Sequence, residues 1–281
     1  MKRILFAGGG TGGHLYPGLA LAERLRSEGV EVEFVGTRKG VEAEVVPRHG
    51  FAIRFVRAGR FSRKPLHLVR GVLETTVGFI QCLVWLLSRR PGLVVGTGGY
   101  ASAPVGLASA VLGVPLLVLE QNAVPGKVTR LLARFARRAC VSFPETLRWL
   151  PSERAEVTGN PIRPEILACT REEGRRRLGL DLQRPCLLVT GASQGAESLN
   201  RAVLRSLSRW SQRGWSVVHL TGPKNLAEVV EAAAALVRDA PLRYQALGYL
   251  DDMAAAYAAA DLVVCRAGAT TLAEVTARGL A

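Results

Sequence analysis

The chain has 281 residues, 48% of them hydrophobic and 21% charged, a globular composition long enough for two domains that each bury a core. Net charge is +14 and sits mostly in the first half: residues 1–140 hold 20 Lys/Arg against 8 Glu and no Asp, whereas residues 141–281 hold 17 against 15. A basic half calls for an anionic partner. With aromatics at 6% and no basic-aromatic interleaving or zinc finger, an anionic membrane is favoured over nucleic acid.

The first element is a short apolar strand at Arg3–Ala7 running into Gly8-Gly9-Gly10-Thr11-Gly12-Gly13-His14, with a helix from about His14 to Glu28. Its apolar stretch is too short for a signal-peptide core, so a cytoplasmic chain is expected. Strands follow at Glu31–Gly36 and Phe51–Val56, a long helix at Pro65–Arg89, a strand at Leu93–Val95, a helix at Ala103–Leu112 and a strand at Leu116–Leu119. Residues 91–119 carry no charge, but glycines and prolines cut the stretch into pieces shorter than a membrane span. After a helix near Val124–Arg137 and a strand near Cys140, the Pro- and Gly-rich segment from Thr158 to Pro164 reads as a linker. The pattern then restarts: a strand at Cys186–Val189, helix Ala196–Trp210, strand Ser216–Leu220, helix Leu226–Arg238, a strand near Tyr244, helix Asp251–Ala259, strand Leu262–Cys265 and helix Thr271–Arg278. Such alternation predicts an α/β chain of two doubly wound parallel-sheet domains facing a cleft: residues 1–158, a linker at 159–165, and residues 166–281.

Three glycine clusters follow strands: Gly8–Gly13, Gly96–Ser102 and Gly191–Gly195. Residues without Cβ let backbone amides approach a ligand, and a following helix N-terminus favours negative charge. The first cluster fits G-x-G-x-x-G at Gly8, Gly10 and Gly13, but the second strand ends Val35-Gly36-Thr37-Arg38 with no acid for a ribose. NAD is therefore disfavoured, although Arg38 leaves room for a 2′-phosphate, and a P-loop fails because His14 stands where lysine is required. Cys82, Cys140, Cys169, Cys186 and Cys265 are scattered, as are the four histidines, so no metal site is expected and the cysteines read as small core residues.

In order along the chain, Gly9-Gly10-Thr11-Gly12-Gly13-His14, Gly98-Gly99-Tyr100-Ala101-Ser102, Glu120-Gln121-Asn122, Gly159-Asn160-Pro161-Ile162-Arg163, Ser193-Gln194-Gly195, Asp251-Asp252-Met253 and Cys265 through Glu274 resemble one family. It comprises the bacterial GT-B glycosyltransferases that add N-acetylglucosamine from its UDP donor to the undecaprenyl-diphosphate-linked muramyl pentapeptide, a step of peptidoglycan synthesis. The resemblance implies an inverting, metal-free hexosyl transfer with no cofactor, UDP-N-acetylglucosamine being a substrate. The enzyme would be peripheral on the cytoplasmic side of the inner membrane. By matching motif, donor contacts would be Thr11, Gly12, Gly13, Asn122, Arg163, Ser193, Leu250, Ala269, Thr270, Thr271, Leu272, Ala273 and Glu274. Gly98, Gly99, Tyr100, Ser102, Gln194 and Gly195 would form acceptor or diphosphate loops. Family members continue into a further strand, a segment touching the donor sugar and a terminal helix, so an incomplete second domain is expected.

The attacking muramyl 4-OH must lose a proton. Histidine is the usual residue type for such a proton transfer, so His14 is the first candidate base and Glu120 the second. In the long helix, Val69, Leu73, Ile80, Leu83 and Leu87 form one stripe, expected in the core, while Leu68, Phe79, Cys82 and Leu86 form another and Trp85 lies on a third side. Phe79, Cys82, Trp85 and Leu86, rimmed by Arg57, Arg60, Arg63, Lys64, Arg70, Arg89 and Arg90, are the expected membrane contacts. The competing readings are another GT-B enzyme acting on a glycolipid, and a noncatalytic UDP-sugar-binding remnant.

Overall fold

The computed structural model describes residues 3–59, 65–238 and 240–281, with side chains in the second stretch from residue 68 onward. The chain divides into two compact units, Met1–Arg163 and Pro164–Ala281.

Unit 1 is a seven-stranded, all-parallel sheet made of β1 (Ile4–Gly8), β2 (Val32–Gly36), β3 (Ala52–Phe55), β4 (Leu93–Gly98), β5 (Leu116–Glu120), β6 (Arg138–Val141) and β7 (Ala155–Val157). The strand order is β3-β2-β1-β4-β5-β6-β7. Its helices are α1 (Gly12–Ser27), α2 (Glu42–Arg48), α3 (Pro65–Arg89), α4 (Ser102–Val111) and α5 (Lys127–Ala133). Central strands are apolar on both faces because helices cover both sides: Leu5, Ala7, Val94 and Val118 join one core with α3 and α4, and Phe6, Phe34 and Val95 join the other with α1 and α2. Strand order reverses between β1 and β4, where loops leaving the carboxyl ends open a crevice for ligands.

Unit 2 repeats the plan with four parallel strands, β8 (Cys186–Thr190), β9 (Ser216–Leu220), β10 (Arg243–Leu247) and β11 (Leu262–Cys265), in the order β10-β9-β8-β11. Its helices are α6 (Pro164–Ala168), α7 (Arg171–Arg177), α8 (Glu197–Trp210), α9 (Leu226–Val237), α10 (Met253–Ala259) and α11 (Ala269–Ala277). The buried Arg175 guanidinium is satisfied by Asp261 at 2.7 Å and by the carbonyls of Ala259, Asp181 and Leu182. Burial opposes charge on Asp261, but the Cys186 amide and the Arg171 and Arg175 guanidiniums outweigh it and hold its carboxyl below the usual range.

Short elements escape periodicity. The helices α2, α6 and α7 and the strand β7 were not expected, and the helix expected over Val124–Arg137 is only Lys127–Ala133. Each spans seven residues or fewer, too few to establish a period of 3.6 against noise. The cysteines are free, and desolvation pushes the Cys82 and Cys186 thiols up to about 12 and 11.

The long helix α3 reverses its expected orientation. Cys82, Trp85 and Leu86 are 0–5% exposed and Phe79 packs on the same core, whereas Val69, Leu73, Ile80, Val84 and Leu87 are 55–66% exposed. Of the stripe expected inside, only Leu83 packs on the core. Both faces are apolar, so hydrophobicity alone does not choose between them. Small residues do: Gly71 and Gly78 are buried on the packed side, where a Cβ on Gly78 would meet the Arg57 carbonyl and Pro104 of α4, and one on Gly59 would meet the Gly71 backbone. Arg60, Arg63 and Lys64, expected beside this helix, lie outside the described residues.

A pH-sensitive group lies in the unit 2 core. His219 on β9 is fully buried, with Nε2 3.0 Å from Asn200 Oδ1 and Nδ1 2.7 Å from the Tyr244 hydroxyl. Desolvation lowers its pKa to about 4. A group with a depressed folded-state pKa contributes stability above its unfolded value, near ~6.5, and loses it as pH falls toward the folded value. Unit 2 is expected to lose about 2–3 kcal/mol of stability between roughly pH 6.5 and 4 from this residue. Urea titrations of the parent and His219→Gln should differ in pH slope over that window; parallel slopes would remove His219 as the cause.

Candidate functional site

The glycine loops of unit 1 meet at the switch point. Between β1 and β4 the register shifts at Ala7/Gly8, so that Gly8 pairs with Gly98 and Thr97 is accommodated as an extra residue. The Gly8–Gly13 and Gly98–Ser102 segments therefore leave adjacent strands side by side. Gly10 (φ 84°) and Gly99 (φ 77°) occupy the left-handed region that side chains avoid. The Tyr100 ring packs on Gly10, where a Cβ would stand 2.9 Å from Cε1, and Ser102 Oγ donates to the Gly99 carbonyl at 2.8 Å.

His14 lies in the first turn of α1 with its ring against Gly98 and Gly99. Its Nδ1 is 3.4 Å from Gln121 Oε1. The contact orients the imidazole; with Gln121 Oε1 accepting from Nδ1–H, Nε2 keeps the lone pair that a base needs. Gln121 is 2% exposed and its Nε2 has no partner among the described residues. It was missed as a site residue; its signal was only its place between Glu120 and Asn122.

Glu120 does not lie open as a base. Its side chain is 2% exposed; Oε1 accepts from the Asn122 amide at 3.0 Å and Asn122 Nδ2 at 2.9 Å, and Oε2 from the Gly126 amide at 3.1 Å. A carboxylate committed to three donors shapes the loop that carries Gln121. Asn122 is exposed at that turn, and Thr146 Oγ1 donates to its carbonyl at 3.0 Å.

A second buried carboxylate, Glu42, was not anticipated. It accepts from the Gly10 amide at 2.7 Å, the Thr37 amide at 2.9 Å and Thr37 Oγ1 at 2.8 Å while fully buried. Thr37 Oγ1 also lies 3.3 Å from the Tyr100 hydroxyl. Glu42 thus ties the first glycine loop to the end of β2, and a Cβ on Gly9, Gly36 or Gly40 would collide with its side chain. Its signal in sequence was three glycines around one acid, which only the fold brings together.

Of the expected donor contacts, Thr11, Gly12, Gly13, Asn122 and Arg163 belong to unit 1. Thr11 is the N-cap of α1, and Arg163, 7% exposed, stacks its guanidinium 4.6 Å from the centre of the Tyr16 ring on the same helix. Both side-chain amide atoms of the nearby Asn160 are buried and unpartnered among the described residues.

Ser193, Leu250 and Ala269 through Glu274 belong to unit 2. Its strand order reverses between β8 and β11. The Gly191–Gly195 loop leaves β8, and the segment into α11 leaves β11. Arg266 Nη2 donates to the Gly191 carbonyl at 2.6 Å, binding the two segments together. Ala192 has φ 62°, a strained conformation for a residue with a Cβ. Gly195 packs against the Thr221 carbonyl and Gly222 against that of Gln194. Ala269, Thr270, Thr271, Leu272 and Ala273 form the first turns of α11, with Glu274 5% exposed behind them. A loop, a strained turn and a helix N-terminus at a switch point form a setting for a diphosphate. Among the described residues no group of three His, Cys, Asp or Glu is placed to hold a metal ion.

Residues 4–141 match the glycosyltransferase family 28 N-terminal domain and residues 186–281 its C-terminal domain. A curated relative from Halothermothrix orenii, the UDP-N-acetylglucosamine–N-acetylmuramyl-(pentapeptide) pyrophosphoryl-undecaprenol N-acetylglucosamine transferase, is 42% identical over 99% of this chain and 77% of its own. The chain belongs to glycosyltransferase family 28. The family member of the same name from Geotalea uraniireducens is 42% identical over 99% of this chain and 76% of its own. Among solved structures, MurG from Acinetobacter baumannii superposes with a TM-score of 0.70 at 30% identity, covering 98% of this chain and 74% of that one. A UDP-GlcNAc 2-epimerase from Neisseria meningitidis, bound to UDP-GlcNAc, gives 0.67 at 11% identity over 95% and 78% of the two chains, a likeness of fold alone. The family 28 chain described here has the two parallel-sheet α/β units of the GT-B architecture.

Proposed function

We propose that this family 28 chain transfers N-acetylglucosamine from UDP-N-acetylglucosamine to the muramyl 4-OH of the undecaprenyl-diphosphate-linked muramyl pentapeptide, with inversion at the anomeric carbon. The kinship at 42% identity across 99% of the chain carries this reading. His14 Nε2 takes the proton of the attacking hydroxyl, with the imidazole held by Gln121 and by Gly98-Gly99. In unit 2 the amides of the Gly191–Gly195 loop and Ser193 meet the charge growing on the departing UDP, and the transfer calls on no cofactor or metal. Glu274 binds the ribose hydroxyls. Incubating the chain with both substrates should give a lipid product heavier by one N-acetylhexosamine; its absence, with both substrates intact, would reject the activity.

A lipid-linked acceptor calls for work at a membrane surface, and the reading puts the enzyme there peripherally, on the cytoplasmic side. The exposed face of α3 suits that position: Val69, Leu73, Val77, Ile80, Val84 and Leu87 fall on one side, with Arg70, Arg89 and Arg90 exposed on the same helix and at its end. By length and hydropathy α3 could span a bilayer, but Cys82, Trp85 and Leu86 fix its other face in the core of unit 1. Changing Leu73, Ile80 and Val84 together to Ser should lower affinity for anionic vesicles by about 10-fold or more without unfolding, each exposed aliphatic contributing about 1 kcal/mol or more on insertion. Added salt should weaken the parent's binding. Undiminished vesicle binding by the triple variant would exclude this face.

A further inference from the structure

A pocket of about 1060 Å³ lies in unit 1, away from the glycine crossing but on the same edge of the sheet. Thr37, Arg38 and Lys39 follow the carboxyl end of β2, Val56, Arg57 and Ala58 that of β3, and Tyr100 that of β4, while α3 contributes Arg70, Gly71, Glu74 and Gln81. Four cations face one carboxylate, and Glu74 is already paired with Arg70 at 2.9 Å. Among the described residues Arg38, Lys39 and Arg57 make no ion pair; Arg38 lies over the Phe55 ring at 5.0 Å, and the Arg57 amide donates to Gln81 Oε1. Three cations without an ion-pair partner in one concavity favour an anion with carboxylate or phosphate chemistry.

Position identifies which. Tyr100 is shared: its ring packs on Gly10, its hydroxyl meets Thr37, and it lines the pocket. The pocket stands over β2 and β3 and His14 over β1 and β4, neighbouring strands being about 4.8 Å apart. In a muramyl sugar the lactyl ether that carries the peptide is on the carbon next to the 4-OH. A peptide of five residues reaches up to ~17 Å when extended, ample for a displacement of two or three strands. Attached through its amino end, it keeps its terminal carboxylate.

We infer that this pocket is the acceptor-peptide subsite, in which Arg38, Lys39 and Arg57 bind the carboxylates of the muramyl-linked peptide. The assignment rests on the acceptor proposed above, and its test does not require turnover. N-acetylmuramyl pentapeptide, free of pyrophosphate and lipid, is titrated into the parent and into the triple variant Arg38→Ala, Lys39→Ala, Arg57→Ala, all three being surface side chains. The same is done with the peptide amidated at its carboxylates. The triple variant should bind the free-acid peptide at least about 10-fold more weakly, and amidation should weaken binding to the parent by a similar factor and to the variant little. Transfer rates to lipid-linked acceptors with and without the peptide give the second arm: the variant should lose the parent's preference for the peptide-bearing acceptor and keep its rate on the peptide-free one. Equal peptide affinity in parent and variant overturns the assignment, as does an equal loss of rate on both acceptors, the signature of a pyrophosphate contact. So does retained preference accompanied by lost binding to anionic vesicles, which would make the pocket a lipid-headgroup site. Peptide binding that depends on the three cations in a chain showing no transfer would uphold the pocket and refute the activity instead.

Discussion

Replacing His14 with alanine should lower turnover by about 100-fold or more and leave UDP affinity within roughly twofold, because general-base catalysis typically contributes roughly 10²–10⁴ and the Gly191–Gly195 loop and α11 belong to the other unit. The expectation follows from how the imidazole is held: with the Gln121 carbonyl accepting from Nδ1–H and the Gly98-Gly99 backbone supporting the ring, the lone pair on Nε2 is available for chemistry. Gln121→Leu, which keeps the volume and removes the acceptor, should show part of the same loss in kcat. Single-turnover rates together with calorimetric UDP binding separate the outcomes. A variant of His14 that turns over normally at saturation and only needs more acceptor would make the histidine a binding residue.

The largest stability loss is expected for Glu42→Ala, at about 3–5 kcal/mol. The change strips acceptors from the part-buried Gly10 amide and from the buried Thr37 amide and hydroxyl at once, each orphaned donor costing about 1–3 kcal/mol, and opens a cavity against Gly9, Gly36 and Gly40. Water entering that cavity offsets part of the sum. Glu42→Gln preserves the volume and one acceptor and should cost about 1–2 kcal/mol. Urea unfolding followed by fluorescence measures both; a loss below about 1 kcal/mol for the alanine variant would mean that the loop does not depend on this carboxylate.

Long elements and glycine clusters were legible from residues alone because their signals are local. A run such as Cys186–Thr190, buried along its whole length, announces a parallel strand, and a glycine cluster after it marks a turn close to backbone. Both glycine loops of unit 1 and the loop after β8 appear where the alternation placed them. Contacts between distant segments were not legible. Glu42 reads as an ordinary acid in a charged stretch, and only the pairing of β1 with β2 sets it beneath Gly10. Glu120 reads as a catalytic carboxylate until its three donors are seen. For α3, two apolar faces make the hydrophobic period degenerate, and Gly71 and Gly78 were the available clue: small residues mark the side where backbone packs against helix. The cation pocket is of the same kind, since Arg38, Arg57 and Arg70 are separated in sequence and converge because β2 and β3 end beside the N-terminal half of α3.

The most direct measurement is the structure of the product. Chain, UDP-N-acetylglucosamine and the undecaprenyl-diphosphate-linked muramyl pentapeptide are combined, and the lipid product is isolated for mass spectrometry and NMR. The assignment of His14 as base in an inverting transfer predicts one added N-acetylglucosamine joined to the muramyl 4-OH with β configuration, formed by the parent and at least about 100-fold more slowly by His14→Ala. An unmodified acceptor, a sugar at another hydroxyl, or an α linkage retaining the donor's configuration would contradict it.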